Sequence, residues 1–384
     1  QHLNWSKQYT LCRYRCLPRC MRWTDHPRKQ LAGADSKYRI MDPITHAISG
    51  AALARAIPRH HLPPLQLLFL VLLTMAPDAD ILLRFFSENL YLQHHRGLTH
   101  SILLIPLWGW LVYSLSSHNI RTNSTMPWLI GGALLLHILL DLITTFGTMI
   151  FAPFSDQRAS IDLLFIIDPF FTACLLIPLL LGLKWKHQKR KMGALSLLLM
   201  CSYLGLTYSN QQQAIDLARK EQPGALAYNA LPMAFSPFHW QLIVSFPNHY
   251  ARAAVNLNPG FSGTQPFFDQ AFANGLISTA MNSPEHISWQ KLATMQSVEG
   301  FEDLPGTAFY LWFARYPVLL QKGEGYIDFG DLAFGGGAPG AKPSFQLHIN
   351  LRGDQADARP RAWLIWRGER RSELTLTSAP FDWL

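Results

Sequence analysis

Three short stretches carry the side chains of this chain that are best suited to chemistry. The segment His94-His-Arg-Gly-Leu-Thr-His-Ser101 places three imidazoles and a guanidinium beside an apolar run. Asp78 and Asp80 end an earlier apolar run, and His137 and Asp141 lie four residues apart in a later one. Because residues i and i+4 share one face of a helix, His137 and Asp141 are expected to point at one centre. We interpret that centre as a metal ion.

Ionisable side chains at membrane depth are costly and tend to be functional, so the buried His and Asp residues near these runs are candidate ligands. The predicted metal ligands are His46, Asp78, Asp80, His95, His100, His137 and Asp141. Asp80 could also be a partner of a ligand or a helix cap, and His94 is disfavoured because adjacent imidazoles seldom bind one ion. Mixed imidazole and carboxylate ligands favour a divalent ion, zinc first, with manganese or iron as alternatives.

A metal centre of this kind would activate water for hydrolysis. The predicted catalytic residues are Arg96, Asp162 and Asp168. The planar guanidinium of Arg96 suits a phosphate oxygen, although it could instead pair with Asp80 or with a lipid headgroup. Asp162 and Asp168 are expected to act as a general base or to orient a ligand imidazole.

The composition of the chain predicts two regions after residue 40. Apolar runs dominate residues 65–208, whereas residues 209–384 have the composition of an ordinary soluble protein. We therefore predict an α-helical polytopic membrane domain of about six helices over residues 41–208, although several of its runs are shorter than the roughly 20 residues that span a bilayer. The apolar runs begin near residue 43 and then cover residues 65–75, 100–115, 128–143, 163–183 and 192–208.

Residues 209–384 are predicted to form a β-rich α+β soluble domain outside the cytoplasm. A short polar helix is expected over residues 211–222. Partial alternation of β-branched and aromatic residues predicts the strands, over residues 240–246, 251–257, 309–320, 326–329, 345–351 and 363–366.

Residues 1–40 lack the apolar core of a signal peptide and a helical pattern. They carry Cys12, Cys16 and Cys20, whose spacing could bind a metal on a helix but is wider than usual zinc pairs. We expect this segment to be a non-native or disordered extension that precedes a natural start at Met41.

The net charge of +8 is scattered along the chain or flanks apolar runs, so we expect membrane lipids and not nucleic acid as partners. Lys and Arg are concentrated after the first, third and fifth runs, most densely between Lys184 and Lys191. The positive-inside rule places these joints in the cytoplasm. The candidate site and the C-terminal domain are then predicted on the outer side of the membrane.

Several stretches in consistent order resemble the YdjM/YbcI family of bacterial inner-membrane proteins, which are predicted metal-dependent hydrolases. The stretches are Met41-Asp-Pro-Ile-Thr-His-Ala-Ile-Ser-Gly, Ala76-Pro-Asp-Ala-Asp, His95-Arg-Gly-Leu-Thr-His-Ser, His137-Ile-Leu-Leu-Asp-Leu-Ile-Thr-Thr-Phe-Gly-Thr, and Pro153-Phe-Ser-Asp-Gln-Arg with Ile167-Asp-Pro. The resemblance covers Met41 to about Leu183. It implies a multi-helix membrane protein with a metal centre, and it identifies no substrate.

A second similarity concerns the order of the candidate ligands. His46, Asp78, His95 or His100, and the His137-x3-Asp141 pair follow one another as ligands do in the zinc-dependent phospholipase C and nuclease superfamily, which is helical and cleaves phosphoesters. The later His-x3-Glu segment of that superfamily has no counterpart here. A one- or two-metal site is therefore expected in place of a three-zinc cluster.

These patterns together predict a membrane-bound metal-dependent hydrolase that acts on a lipid or lipid-linked phosphoester at the outer face of the inner membrane. The alternative is a non-enzymatic metal-binding membrane transporter or stress-response protein. A transporter favours charged groups near the bilayer midplane, whereas these cluster towards one leaflet. A membrane hydroxylase or desaturase ranks last, because such enzymes use more His-rich segments.

Overall fold

The computed structural model describes residues 43–58, 61–259, 283–335, 343–352, 359–366 and 369–374. The predicted N-terminal extension and its cysteines lie outside these residues. The described chain consists of a helical N-terminal region followed by a sheet-rich C-terminal region, as predicted.

The helical region contains eight α-helices within the described residues. They are α1 (Pro43–Ala56), α2 (Pro64–Leu73), α3 (Glu88–His94), α4 (Ile105–Leu115), α5 (His118–Arg121), α6 (Met126–Leu142), α7 (Pro169–Lys184) and α8 (Lys189–Glu221). Short 3₁₀ helices connect several of them, at Ala76–Phe85, Leu98–His100, Ile102–Leu104 and Lys186–Gln188.

Helix α7 begins six residues later than the apolar run that predicted it. The Asp168 side chain caps this helix by accepting hydrogen bonds from the backbone N–H groups of Phe170 and Phe171, both at 2.9 Å. Pro169 follows, and a residue before proline is disfavoured in helical conformation. Residues 163–168 therefore precede the helix as a non-helical segment, in which Leu164 bridges to Thr144.

The number of helices able to span a membrane alone is smaller than the predicted six. Within the described residues, Lys186–Glu221 is long and apolar enough to cross by itself. Two bent pairs would each add a span if they act as one unit: Pro64–Leu73 with Ala76–Phe85, at 51°, and Glu88–His100 with Ile102–Leu115, at 49°. Helices α6 and α7 are apolar but shorter.

Helix α8 joins the two regions as one rod. The predicted short helix over residues 211–222 is its continuation, and 33 residues correspond to about 50 Å. Near its start Gly193 lies so close to α1 that an added Cβ would be 2.8 Å from the Ala56 nitrogen. Near its end Ala214 and Ala218 pack in the core of the first sheet with Trp240.

The C-terminal region forms two antiparallel sheets. The first has the order β1 (Ala227–Pro232), β2 (His239–Ser245), β3 (His249–Asn256) and β4 (Gln290–Ala293). The second has the order β5 (Pro317–Gly323), β6 (Tyr326–Asp331), β7 (Phe345–Asn350), β8 (Arg361–Trp366) and β9 (Glu369–Leu374). Five of the predicted strands correspond to β2, β3, β6, β7 and β8, whereas β1, β4 and β9 were not predicted.

The predicted strand over residues 309–320 is wrong in its first half. Thr307–Phe313 is a helix, α9, and only Pro317–Gly323 is a strand. Phe309, Tyr310 and Phe313 are buried. Their spacing of one and four residues fits one helical face, whereas aromatic content alone had favoured a strand.

The second sheet packs against the helical region beside the candidate site. Tyr91 and Leu92 of α3 belong to the same hydrophobic core as Phe309, Phe329 and Leu347. A second connection is made by Arg315, whose guanidinium binds the Asp162 carboxylate at 2.7 and 2.8 Å. Although burial favours a lower pKa for Arg315, its contact with Asp162 raises that pKa overall.

Candidate metal centre

His137 and Asp141 lie on one face of α6, one turn apart, and both are fully buried. The Nδ1 atom of His137 is 2.7 Å from the carbonyl oxygen of Thr74, at the end of α2. A carbonyl only accepts hydrogen bonds, so Nδ1 carries the proton and the Nε2 atom presents a lone pair. The contact with Thr74 thus fixes both the orientation and the tautomer of His137.

His100 reaches the same point from the 3₁₀ turn Leu98–His100. Its Nε2 atom is 2.9 Å from His137 Nε2 and 2.9 Å from Asp141 Oδ2. Thr99 donates its hydroxyl proton to Asp80 at 3.3 Å, so its oxygen accepts from the Nδ1 of His100 at 2.8 Å. In the neutral imidazole, the Nε2 atom of His100 then also presents a lone pair.

Asp78, on the 3₁₀ helix Ala76–Phe85, completes the group. Its Oδ1 atom is 3.5 Å from His100 Nε2 and 3.7 Å from His137 Nε2. One ligand atom from each of Asp78, His100, His137 and Asp141 lies within 4.8 Å of all the others. We call these four residues the metal-site cluster.

The donor atoms of the metal-site cluster fit a metal ion. Among the described residues, Asp78 Oδ1 and Asp141 Oδ2 are buried without a hydrogen-bond donor. Ligands bound tetrahedrally at 2.0–2.1 Å are about 3.3–3.4 Å apart, and the separations quoted above bracket this value. Two imidazoles and two carboxylates suit zinc, manganese or iron. The prediction of a possible divalent metal site is confirmed at this level, whereas the geometry leaves the metal's identity open.

Asp80 and His95 form a layer behind the cluster. Asp80 accepts hydrogen bonds from His95 Nδ1 at 2.8 Å and from the backbone N–H of Arg96 at 2.9 Å. Neither residue contributes to the group of four converging ligand atoms. Asp80 thus takes the alternative role considered for it, as the partner that holds the 95–100 turn in place.

His46, on α1, approaches the cluster from the other side of Asp141. Its Nε2 atom is 3.3 Å from Asp141 Oδ1, and its ring centroid is 4.2 Å from that of His137. Among the described residues, its buried Nδ1 atom has no hydrogen-bond partner. His46 therefore neighbours the cluster without belonging to its four-residue set.

Arg96 is fully buried and its guanidinium faces Asp141. The Nη2 atom is 2.8 Å from Asp141 Oδ1, and the Nη1 atom donates to the Asp141 carbonyl and to Thr144 Oγ1, both at 3.0 Å. Its backbone adopts the left-handed conformation, with a φ of +58°, which is uncommon for a non-glycine residue. These contacts orient Asp141, and they occupy the group that was expected to bind phosphate or to pair through its side chain with Asp80.

The other two predicted catalytic carboxylates have structural partners. Asp168 caps α7 and also accepts a hydrogen bond from the Tyr203 hydroxyl at 2.8 Å. Asp162 is bound to Arg315. Neither is part of the metal-site cluster, so we assign neither a step at the metal.

A small cavity of about 30 Å³ lies beside Asp141. Its polar lining comes from Thr45, His46, Asp141, Thr144 and Asp168, and much of the remainder is apolar. A water molecule needs at least about 10–15 Å³ and two or more polar partners, so the cavity is large enough and polar enough to hold water.

The residues that orient the cluster were not identified from the sequence. Thr74 acts through its backbone carbonyl, which gives no signal in the side-chain pattern. Thr99 lies inside the quoted His94–Ser101 segment, where a hydroxyl next to a ligand imidazole could have indicated its role. Arg315 is 153 residues from Asp162, and no local pattern connects them. Gly147, in the turn after α6, has a φ of +86°, a conformation that favours glycine.

Comparison with known sequences decides the family. The inner membrane protein YbcI of Escherichia coli is 32% identical over 121 residues, which are 30% of this chain and 69% of YbcI. A sequence profile described as YdjM inner membrane protein matches residues 41–214. The chain belongs to the YdjM family. The resemblance of its motifs to this family is thereby confirmed, and the matched segment contains every residue of the metal-site cluster.

A second relative extends the YdjM family comparison to another organism. The uncharacterized protein YfhP of Bacillus subtilis is 30% identical over 139 residues, which are 34% of this chain and 42% of YfhP. The chain therefore spans less than half the length of that relative. No solved structure matches the chain. The C-terminal sheets lie beyond the part that the YdjM profile covers.

Proposed function

We propose that this YdjM family protein is a metal-dependent hydrolase that acts on a lipid or lipid-linked phosphoester at the outer face of the inner membrane. The observation that carries the proposal is the convergence of Asp78, His100, His137 and Asp141 on one point among apolar helices. Two imidazole nitrogens and two carboxylate oxygens at such separations need a shared positive charge, which a metal ion supplies to all four at once.

The four cluster residues would bind the ion, and the residues around them hold the ligands in orientation. A bound divalent ion supplies a Lewis acid that polarises a phosphoryl oxygen and lowers the pKa of a water molecule. Thr74 and Thr99 hold the rings of His137 and His100 through their Nδ1 atoms, so that the Nε2 atoms would be available to a bound ion. Arg96 binds the opposite oxygen of Asp141 and fixes which oxygen faces the site. Fixed ligand orientation of this kind strengthens metal binding.

Substrate would approach from the side of Asp78. The Asp78 side chain is 14% exposed, whereas those of His100, His137 and Asp141 are 0–1% exposed. A phosphoester would therefore contact the ion at the edge next to Asp78, with Arg96 buried behind the opposite edge.

The proposed location at the outer face is supported by the basic residues, which lie at the opposite ends of the helices from the cluster. The cluster lies at the carboxyl end of α6 and just beyond that of α2. At the opposite end Arg55 donates to the Leu179 carbonyl, and Arg190 donates to the Ala56 carbonyl. The basic segment 184–191 thus lies away from the cluster, as the positive-inside rule requires of a cytoplasmic end.

Six membrane crossings are compatible with this arrangement. Helix α1, the two bent pairs, α6, α7 and α8 would provide them in chain order. Helices α1, α6 and α7 are shorter than the roughly 20 residues that span a bilayer. Each of these crossings would therefore have its outer end at the polar residues of the site. We include these six crossings, and a periplasmic C-terminal domain, in the proposal.

One observation favours a second candidate, a non-enzymatic metal-binding transporter or stress-response protein. Four protein ligands can complete a tetrahedral shell, whereas a catalytic zinc commonly has three and keeps a position for water. Asp78 decides between the two functions. An Asp78 that yields a position to water would give an enzyme, and an Asp78 that stays bound would give a metal-holding protein.

Metal analysis of detergent-purified protein, combined with a screen of phospholipid and polyprenyl phosphoesters, tests the proposal. We expect stoichiometric divalent metal and turnover that disappears on chelation and returns with zinc or manganese. Asp78→Asn should reduce turnover at least 100-fold, and Leu135→Ala, on an exposed position of α6, should leave it unchanged. Bound metal without turnover of any phosphoester would reject the hydrolase and favour the second candidate.

A further inference from the structure

The 3₁₀ helix Ala76–Phe85 carries one exposed apolar row beside the metal-site cluster. A 3₁₀ helix has 3.0 residues per turn, so side chains three residues apart lie above one another. Ala76, Ala79, Leu82 and Phe85 have this spacing and are all exposed. Leu82 is 56% exposed and Phe85 is 85% exposed. We call these four residues the apolar row.

The other two rows of the same helix face the protein. Pro77 and Asp80 are buried, and Leu83 packs against the core under the second sheet. Asp78, Ile81 and Arg84 form the third row and are half-buried. Asp78 therefore lies between Pro77, which is buried, and Ala79, which belongs to the apolar row. The most accessible member of the cluster lies at the border between the exposed apolar row and the protein interior.

The apolar row continues an exposed face of α2. Leu65, Leu68 and Leu72 are exposed and recur at three- and four-residue spacing on that helix. Helix α2 and the 3₁₀ helix together satisfy the length and composition of a membrane span, with a bend of 51° between them. Exposed apolar faces on both of these helices, in an inner-membrane family, match a surface in contact with acyl chains.

The end of the apolar row has features suited to the headgroup level. Arg84 forms an ion pair with Glu88 at 2.9 Å, and its guanidinium lies 4.4 Å from the centre of the Tyr91 ring. Phe86, next to Phe85, is also exposed. Aromatic and basic side chains are enriched where a membrane meets water. Phe85 thus lies at the end of this span that meets the interface beside the cluster, and Leu65 lies towards the opposite end.

We propose that the apolar row lies against the acyl chains of membrane lipids, and that a phosphoester with an apolar tail enters the site laterally along this row, past Asp78. The lipid contact rests on the exposed face, on the length and composition of the two helices and on the inner-membrane family, and it requires no hydrolase activity. The route for the substrate rests on the hydrolase function proposed above. It narrows the substrate class to amphiphiles whose tail stays in the bilayer while the phosphoester reaches the cluster.

Photolabelling tests the lipid contact without any activity. The full chain is reconstituted in phosphatidylethanolamine and phosphatidylglycerol vesicles with a phosphatidylcholine that carries a diazirine on its acyl chain, then irradiated and mapped by mass spectrometry. We expect lipid adducts on Leu82 and Phe85 as well as on Leu65 and Leu68. Adducts on α2 without any on residues 76–86, or crosslinks from this segment to a second chain, would overturn the contact.

Substrate chain length tests the route. Phe85→Ser combined with Leu82→Ser should lower the ratio of kcat/KM for a long-chain to a short-chain phosphoester by about tenfold or more, because burial of such side chains favours the tail. Leu226→Ser, an equally exposed apolar position after α8, should leave the ratio unchanged. Metal content should be the same in all three proteins.

The outcomes separate the two proposals. An unchanged ratio in the double variant, with both substrates hydrolysed, would overturn the lateral route and leave the hydrolase function intact. Absence of turnover with either substrate in the unaltered protein would reject the hydrolase function and the route together. In that case the photolabelling result still decides the lipid contact.

Discussion

The Nε2 atoms of His100 and His137 lie 2.9 Å apart, and in the neutral imidazoles both present lone pairs. Their other ring nitrogens carry the protons, which are directed at Thr99 and at the Thr74 carbonyl. Asp141 Oδ2 adds a negative charge at 2.9 Å from His100. A buried arrangement of acceptors facing acceptors is unfavourable without a shared cation. A metal ion at this point removes the repulsion and accounts for all of these contacts at once.

The first prediction concerns His137 and Asp141. His137→Ala with Asp141→Asn removes one ligand and one charge, and the asparagine oxygen still accepts a hydrogen bond from buried Arg96. We expect the protein to insert and to elute as a single species, but to lose at least nine-tenths of its bound metal. Elemental analysis after purification without chelator measures this loss.

The control for this variant is on the same helix. Leu135→Ala with Leu139→Ala removes two half-exposed apolar side chains from α6 and should retain the metal. Stoichiometric metal in the His137 and Asp141 variant would show that the ion binds elsewhere, and the hydrolase proposal would then lose its physical support.

The second prediction tests the outer layer through Thr99. Thr99→Val preserves the side-chain volume and removes the hydroxyl that lies between Asp80 and His100 Nδ1. We expect a metal affinity about 10–100-fold weaker, as is typical when a partner of a ligand is lost. Competition with a chromogenic chelator measures the affinity.

Thr122→Val provides a matched comparison for Thr99→Val. Thr122 is exposed, and its hydroxyl donates only to the nearby Asn119 carbonyl at 3.3 Å. It should not alter metal affinity. Equal affinities in both valine variants would mean that Thr99 does not determine the orientation of His100.

The third prediction concerns topology. A phosphatase reporter fused after Leu384 should be active, since we place the C-terminal region in the periplasm, and one inserted between Lys186 and Lys191 should be inactive. The reason is that the basic residues collect at the end of the helices away from the cluster. A cytoplasmic green fluorescent protein at the same two positions should give the reverse pattern. Activity only at the basic segment would place the metal-site cluster on the cytoplasmic side.

The chemistry of the site was more predictable from the sequence than the shape of the chain around it. His137 and Asp141 could be paired because residues i and i+4 share one face of a helix in any tertiary environment. The sequence could not separate the ligands from the residues that hold them. Asp78 and Asp80 are only two positions apart, and their directions depend on the type of helix that carries them. On the 3₁₀ helix, Asp78 faces the cluster and Asp80 faces His95.

The fold was predictable where one pattern dominated and less so where patterns competed. Apolar content identified α6 and α8, but it did not reveal that Asp168 and Pro169 delay the start of α7. In the C-terminal region the aromatic residues of α9 were assigned to a strand, since Phe, Tyr and Trp favour strands and a seven-residue helix offers little periodicity. Contacts such as Asp162 with Arg315 depend on the tertiary fold and leave no local pattern.

The last prediction tests that contact as the connection between the second sheet and the site. The side chains of Asp162 and Arg315 are 10% and 24% exposed, and they form two hydrogen bonds of 2.7 and 2.8 Å. Asp162 has a φ of +58°, a conformation that asparagine also tolerates. Asp162→Asn therefore removes the charge with little effect on the backbone and leaves Arg315 buried without its counter-ion.

We expect Asp162→Asn and Arg315→Gln each to destabilise the protein by about 3–5 kcal/mol, and the double variant by less than the sum, since the second change removes the unpaired partner. Arg219→Gln breaks the exposed pair with Asp216, whose side chains are 59% and 71% exposed, and should cost about 0–1 kcal/mol. Thermal unfolding in detergent and limited proteolysis at the 160–168 segment measure the effects. Additive losses in the double variant would show that the two residues do not act as a pair, and the second sheet would then have to be held against the site by the hydrophobic core around Tyr91 and Phe146 alone.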